Sequence, residues 1–222
     1  MFHTISYYIG WFVIKILVKV RLQKDVVAQA PIPKGPKILV ANHPTASDPF
    51  VVFSSMGERI SILIFHKVFS IPVFGTYLIM AGHIPVIRGN GQQAFDRALG
   101  FLRRGISVLI FMEGDVSPQV GKFAKPRTGA VRLAYHSGAP IVPIGIGIHK
   151  KNVRYINGVI DGTPMRESWY LHGRYAITIG TPLHIEGNCE DRFKVRAMSK
   201  RIMSTIITLA NLSTRRISPV YA

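Results

Sequence analysis

The sequence predicts an α/β fold: a single layered domain with a largely parallel or mixed sheet flanked by helices, preceded by an N-terminal interfacial helix. Three observations predict it. Short apolar runs of strand length alternate with segments of helical periodicity through most of the chain, the pattern of a sheet covered by helices. The 222 residues, 48% of them hydrophobic, suffice to bury one core and demand no second domain. An apolar, aromatic-rich segment stands apart at the N-terminus. The chain is therefore divided into a membrane-associating helix at 1–25 and a body at 26–222.

The N-terminal run from Ile5 to Val20 is interrupted by Lys15 and Lys19, which lie four apart and share one helical face. It falls short of the roughly 20 uninterrupted apolar residues of a spanning helix. Tyr7, Tyr8 and Trp11 are residue types that favour the headgroup level. A helix lying in the interface is expected, with a core helix as the alternative. The Ala28–Ala30 tripeptide has the small residues of a cleavage site, yet the positive charges at Lys15, Lys19, Arg21 and Lys24 follow the apolar run instead of preceding it, the reverse of a signal peptide. The same charges place the body on the cytoplasmic side.

In the body, Lys37–Asn42 (KILVAN) reads as a short buried strand that ends at His43. Ser47 and Asp48 are N-cap types, and Pro49 is a favoured first helical residue, so a helix runs to about Met56. Ile60–Phe65 is a second strand, Val73–Ala81 a helix, and His83–Arg88 a third strand. Gln92–Arg104 carries Ala94, Phe95, Ala98, Leu99 and Leu102 at helical spacing and stops at Gly105. The strand ISVLIFME follows, then a helix over Arg127–Ser137 closed by Gly138, the strand PIVPIGIGIH, a last strand from Arg174, and a helix over Asp191–Asn211. His43, Arg88 and Glu113 each fall at or just past a predicted strand end, where such sheets bind ligands.

Charge and cysteine usage narrow the function. Lys and Arg number 28 against 11 Asp and Glu, a formal charge of +17, which points to an anionic partner: bilayer, phosphorylated substrate or nucleic acid. No helix-turn-helix, RRM or zinc pattern supports nucleic acid. Cys189 is the only cysteine, so neither an internal disulfide nor a CxxC metal site is expected. The eight histidines include no HExxH pair, and no metal or resident cofactor is expected.

The segment NHPTASD sets His43 five residues before Asp48 with Pro44 between them, so the chain can fold back and bring the carboxylate to the imidazole. Such a pair is a general base with its orienter. A histidine that removes a hydroxyl proton during attack contributes about 100- to 10,000-fold, and the carboxylate holds the tautomer and stabilises the imidazolium. Asp48 can also serve as a helix cap, since its two oxygens allow both roles. No Ser or Cys lies in a G-x-S-x-G elbow, so direct attack by an activated acceptor is the economical mechanism.

NHPTASD resembles the H-x4-D block of the glycerolipid acyltransferase family, which includes lysophosphatidic acid and glycerol-3-phosphate acyltransferases. Three further blocks follow in the family's order. Lys67, IPVFG and Gly82–Arg88 (GHIPVIR) resemble the second block, FMEGDVS (Phe111–Ser117) the third, and APIVPIGI (Ala139–Ile146) the fourth. The resemblance implies that 26–222 is an acyltransferase catalytic domain, transferring acyl groups from acyl-CoA or acyl carrier protein to a lipid hydroxyl at an anionic membrane surface. It implies His43 and Asp48 as catalytic residues and Arg88, Glu113, Gly114 and Lys67 as substrate-binding residues, with Arg88 on the acceptor's phosphate. The third block departs from its usual FPEGTRS: Asp115 and Val116 stand where the family has Thr and Arg. Lys122, Lys125 and Arg127 are the cations available to substitute. Alternatively the acceptor is a glycolipid or aminolipid, which Asp115 suits better than phosphate, or the chain is a silent lipid-binding protein. Glu113 is expected to be buried and to need a partner, with Arg88 as the partner to test and substrate hydroxyls as the other candidate; amides near Gly114 are expected to face developing negative charge.

Overall fold

A seven-stranded sheet organises the chain in a computed structural model that describes residues 2–187 and 190–218. Cys189 lies outside the described residues. Helix α1 (Phe2–Arg21) runs directly into strand β1 (Leu22–Ala28), so position 25 falls inside that strand. There follow β2 (Ile38–Ala41), α2 (Asp48–Ser55), β3 (Ile60–Phe65), a 3-10 turn at His66–Ser70, α3 (Phe74–Ala81), β4 (Ile84–Val86), α4 (Gln92–Arg103) and β5 (Ser107–Phe111). The chain continues through α5 (Gly129–Ser137), β6 (Ile141–Ile148), β7 (Val153–Ile160), β8 (Thr163–Tyr170), β9 (Gly173–Ile179) and α6 (Arg192–Ile217).

The strand order is β1-β9-β6-β2-β5-β3-β4. Strands β6, β2, β5, β3 and β4 run parallel, β9 is antiparallel to β6, and β1 is parallel to β9. The sheet is thus mixed but mostly parallel, as the alternation of runs predicted. Its parallel strands are apolar without interruption because both faces are covered. In β2, Leu39 and Ala41 join one core with Val51, Val52 and Phe53 of α2, whereas Ile38 and Val40 join the other with Ala98, Leu133 and Ile202 of α4, α5 and α6. Gly145 and Gly147 let α6 approach β6: a Cβ at Gly145 would lie 2.1 Å from the Ala210 nitrogen.

Strands β1, β7 and β8 have no counterpart in the sequence reading. In β1 only Leu22 is buried, so an edge strand with polar faces leaves no periodic signal. β7 and β8 form a separate antiparallel hairpin, with β7 exposed along most of its length. The last helix runs to Ile217, past the predicted end at Asn211, because Ser213 and Ile217 remain buried. Its start agrees with expectation, since the Asp191 side chain accepts from the Phe193 and Lys194 amides.

Helix α1 is packed along one side against α2 and α3. Tyr7 is buried there, and its hydroxyl accepts from the Ile60 amide at 2.9 Å. The rest of the helix exposes Ile9, Phe12, Val13, Leu17 and Val20. Among the described residues no helix is long and apolar enough to cross a membrane.

Candidate active site

The loop between β2 and α2 carries His43, and the neighbouring elements hold it. Asn42 ends β2 by exchanging two hydrogen bonds with Ile146 of β6, donating to its carbonyl at 3.0 Å and accepting from its amide at 2.7 Å. Asp48, at the start of α2, is wholly buried. Its Oδ2 lies 2.9 Å from His43 Nδ1 and accepts from the Thr45 amide at 2.8 Å; its Oδ1 accepts from Thr45 Oγ1 and from the Tyr175 hydroxyl, each at 2.8 Å. The expected fold-back is therefore present. The capping role is not: none of these donors is an amide of α2, and Ser47 occupies the N-cap position. A carboxylate so placed fixes the imidazole with Nδ1–H donating, which leaves Nε2 free to take a proton.

The His43 ring stacks on Phe111 at the end of β5, with centroids 3.9 Å apart and planes inclined by 18°. Glu113, two residues on, is buried. It accepts from the His43 amide at 2.9 Å, from Ser117 Oγ at 2.8 Å and from the Ala124 amide at 2.7 Å. The Ser117 amide in turn donates to the His43 carbonyl at 2.8 Å. Glu113 thus ties the third block to the histidine loop, and the expected Arg88 partnership is corrected: a carboxylate this deep is satisfied by amides and a hydroxyl. Arg88 instead lies over the Phe65 ring and pairs with Asp115, with both side chains largely exposed.

Gly114 has φ +76°, a conformation that strains any residue with a Cβ. A Cβ there would also lie 3.1 Å from Arg127 Cγ, so the arginine stem packs on the bare backbone. The Gly114 N–H, expected to face developing negative charge, donates to the Phe111 carbonyl at 3.0 Å. Lys67, on the 3-10 turn, donates to Thr163 Oγ1 at the start of β8. Lys122 lines a cleft of about 290 Å³ with Pro44, Ser117, Phe123, Ile148 and Lys150. The structure thus joins His43, Asp48 and Glu113 through direct bonds, pairs Arg88 with Asp115, and sets Lys67 on the hairpin. Among the described residues no three His, Cys, Asp or Glu side chains come together as metal ligands.

Several site residues escaped sequence reasoning. Thr45 was visible inside NHPTASD but has no role in the H-x4-D pattern. Phe111 and Tyr175 are ordinary core types, and burial pushes the Tyr175 hydroxyl well above its usual pKa, reinforced by the neighbouring Asp48 charge. Strand β8 closes over the histidine loop: the Ala46 amide donates to the Ser168 carbonyl at 2.8 Å, Ser168 Oγ to the Pro44 carbonyl at 3.2 Å, and the Tyr170 amide to Ser47 Oγ at 2.9 Å. Its one local signal was Asp161–Gly162, which turn the hairpin with φ of 50° and 67°, the positive pair that a type I′ turn requires.

Comparison with known proteins adds the following. The family model described as Acyltransferase matches residues 18–147, more than half of the chain. A chloroplastic 1-acyl-sn-glycerol-3-phosphate acyltransferase of Arabidopsis thaliana is 25% identical over 178 residues, 78% of this chain and 47% of that protein. A probable 1-acyl-sn-glycerol-3-phosphate acyltransferase of Mycoplasma genitalium is 31% identical over 124 residues, 52% of this chain and 45% of that protein. The chain spans about half the length of these relatives. The crystal structure of the 1-acyl-sn-glycerophosphate acyltransferase of Thermotoga maritima superposes with a TM-score of 0.69 at 19% identity, covering 94% of this chain and 81% of that one. At that identity the likeness shows a shared fold.

Proposed function

Because the chain belongs to the acyltransferase family, we propose that it moves a fatty acyl group from a thioester carrier, acyl-CoA or acyl carrier protein, to a hydroxyl of a lysophospholipid-type acceptor. The observation that carries this reading is the 2.9 Å contact between His43 Nδ1 and the buried Asp48 carboxylate. His43 Nε2 takes the acceptor's hydroxyl proton as the oxygen attacks the thioester carbonyl carbon. The C–S bond then breaks, and the thiolate leaves with the proton returned from the imidazolium. Asp48 stabilises that imidazolium without itself being protonated, and stacking on Phe111 keeps the ring in place.

The relatives' names support an acceptor of the 1-acylglycerol 3-phosphate kind. We assign Arg88, Asp115, Lys67 and Arg127 to the acceptor's surroundings, Glu113 and Gly114 to the loop that shapes them, and Lys122 to the cleft that would take the anionic arm of the carrier. A second reading is favoured by one observation: Arg88 is already paired with Asp115, which weakens its attraction for phosphate and admits a non-phosphate head group. Exposed apolar residues on α1, beside Lys15 and Lys19, support attachment to an anionic membrane surface, proposed here as its cytoplasmic face.

The test is to incubate purified protein with radiolabelled acyl donor and a panel of lysolipids, beside His43→Ala. A labelled diacyl product, reduced at least about 100-fold in the variant, is the expected result. Label released only as free fatty acid would identify a thioesterase, and equal turnover by the variant would remove His43 from the mechanism.

A further inference from the structure

The cleft beside the histidine loop carries two cations that belong to none of the four motif blocks. Its floor is apolar and buried, formed by Pro44 next to His43, by Ile146 and Ile148 of β6, and by Ala210 of α6. Its rim is exposed and basic, with Lys122 from the loop between β5 and α5 and Lys150 just past the end of β6. Among the described residues no Asp or Glu lines it.

The backbone brings the two lysines together. The Lys150 stem crosses the β5–α5 loop at Gly121, where its Cε and Nζ lie 3.5 and 3.7 Å from the place a Cβ would occupy. Lys150 therefore reaches the residue directly before Lys122. The preceding His149 secures the turn from which it departs, its ring Nε2 donating to the Ile217 carbonyl of α6 at 2.7 Å. Neither lysine takes part in an ion pair among the described residues. Two positive charges at one rim without a carboxylate repel each other, and an anion bound between them relieves that repulsion. The cleft measures about 290 Å³. That is at the lower end of the roughly 300–1,000 Å³ of small-molecule sites, room for a slender chain and not for a whole nucleotide.

We propose that Lys150 and Lys122 form a phosphate-binding subsite for the pantetheine arm of the acyl donor, with the arm lying along the apolar floor towards Pro44 and the thioester presented at His43. The proposal rests on the acyl-transfer reading and identifies which part of the donor enters the cleft. A phosphate ends that arm in both carriers, as a diphosphate in CoA and as a phosphodiester in acyl carrier protein, so the same two lysines serve either source. Between its amides the arm is narrow and largely apolar, which suits a floor of Pro44, Ile146 and Ile148.

The full chain is assayed with donors that share one thioester: acyl-CoA, acyl carrier protein thioester, and acyl-pantetheine, which lacks the phosphate. The native protein should have a higher kcat/KM on a phosphorylated donor than on acyl-pantetheine, and the donor so preferred identifies the carrier. Lys150→Gln should lower that ratio about tenfold, the size of one charge-assisted contact at an exposed rim, through the KM of the phosphorylated donor. Lys150→Arg, which keeps the charge, should retain most of the ratio, and added salt should erode it in the native protein. Calorimetric titration with phosphopantetheine and with pantetheine reads the same subsite without turnover; the native protein should bind the phosphorylated compound more tightly, and Lys150→Gln should weaken that binding by the same factor. A ratio that Lys150→Gln leaves unchanged, or equal native binding of the two compounds, overturns the subsite and leaves the His43 chemistry standing. Tighter binding of phosphopantetheine that Lys150→Gln weakens, with no turnover of any donor, keeps the subsite and overturns the acyl-transfer reading.

Discussion

The Asp48 carboxylate accepts four hydrogen bonds, from His43, from the amide and hydroxyl of Thr45, and from Tyr175. A buried carboxylate with so many donors is held in one orientation, and the imidazole inherits that orientation. Tyr175 contributes the one donor that comes from a distant strand. Replacing it by Phe removes a hydrogen bond to a buried charge, a loss of about 1–3 kcal/mol. Tyr175→Phe should therefore lower the unfolding free energy by that order. It should also cut kcat several-fold with little change in KM, because the base is displaced and the acceptor's surroundings are not. Steady-state kinetics beside urea unfolding checks both; a change confined to KM would mean that the tyrosine serves substrate binding instead. Of these contacts the sequence made only the His43–Asp48 pair legible, because those two residues are local and the others depend on which strands become neighbours.

Among the elements, β4 is the shortest strand of the sheet and is secured by the residue before it. His83 is buried, and its Nδ1 accepts from the Ile62 amide of β3 at 3.2 Å. Burial, aided by the Arg59 charge, lowers its pKa to about 4. A histidine held neutral in the folded state and free to ionise near 6.5 when unfolded stabilises the fold above pH 6.5. That contribution is lost as pH falls from about 6.5 towards 4, by an amount of order 3 kcal/mol. Denaturant unfolding at pH 7.5 and pH 4.5 should show a smaller loss in His83→Gln, whose amide oxygen can still accept from Ile62, than in the native chain. Equal losses would show that other groups govern the acid side. The same scale explains what sequence reasoning missed. β2, β3, β5 and β6 were legible because strands covered on both faces are continuous apolar runs. β1 and β7 were not, because they meet water along most of their length, nor was β8, whose buried positions are Ser168 and Tyr170; their place comes from pairing, Leu22 with Gly173 and Val153 with Tyr170.

At the scale of the whole molecule, the N-terminal helix combines exposed apolar residues with positive charge. Ile9, Phe12, Val13, Leu17 and Val20 are exposed on α1, and Val73 and Ile79 are exposed on α3, which packs against it. Lys15, Lys19 and Arg21 stand on the same helix. Apolar burial and attraction to anionic lipid should therefore act jointly, with each basic residue near the surface worth about 1 kcal/mol. Sedimentation with vesicles of mixed zwitterionic and anionic lipid should show binding that weakens with salt, and more steeply for the native chain than for a variant with those three residues changed to Ser. Binding indifferent to salt in both would leave the apolar face alone as the anchor.

The sequence by itself determined the layered α/β class, most of the helices and central strands, the pairing of His43 with Asp48, and the motif order that resembles the acyltransferase family. These are local or periodic features, written within a few residues of one another. Only the tertiary structure decided that Glu113 braces the histidine loop across 70 positions, that Tyr175 reaches Asp48 across 127, that Arg88 meets Asp115, and that a hairpin closes over the histidine loop through Ser168. The physical reason is strand order. Which carboxylate a distant donor or cation meets depends on which strands lie side by side, and neither composition nor periodicity carries that information.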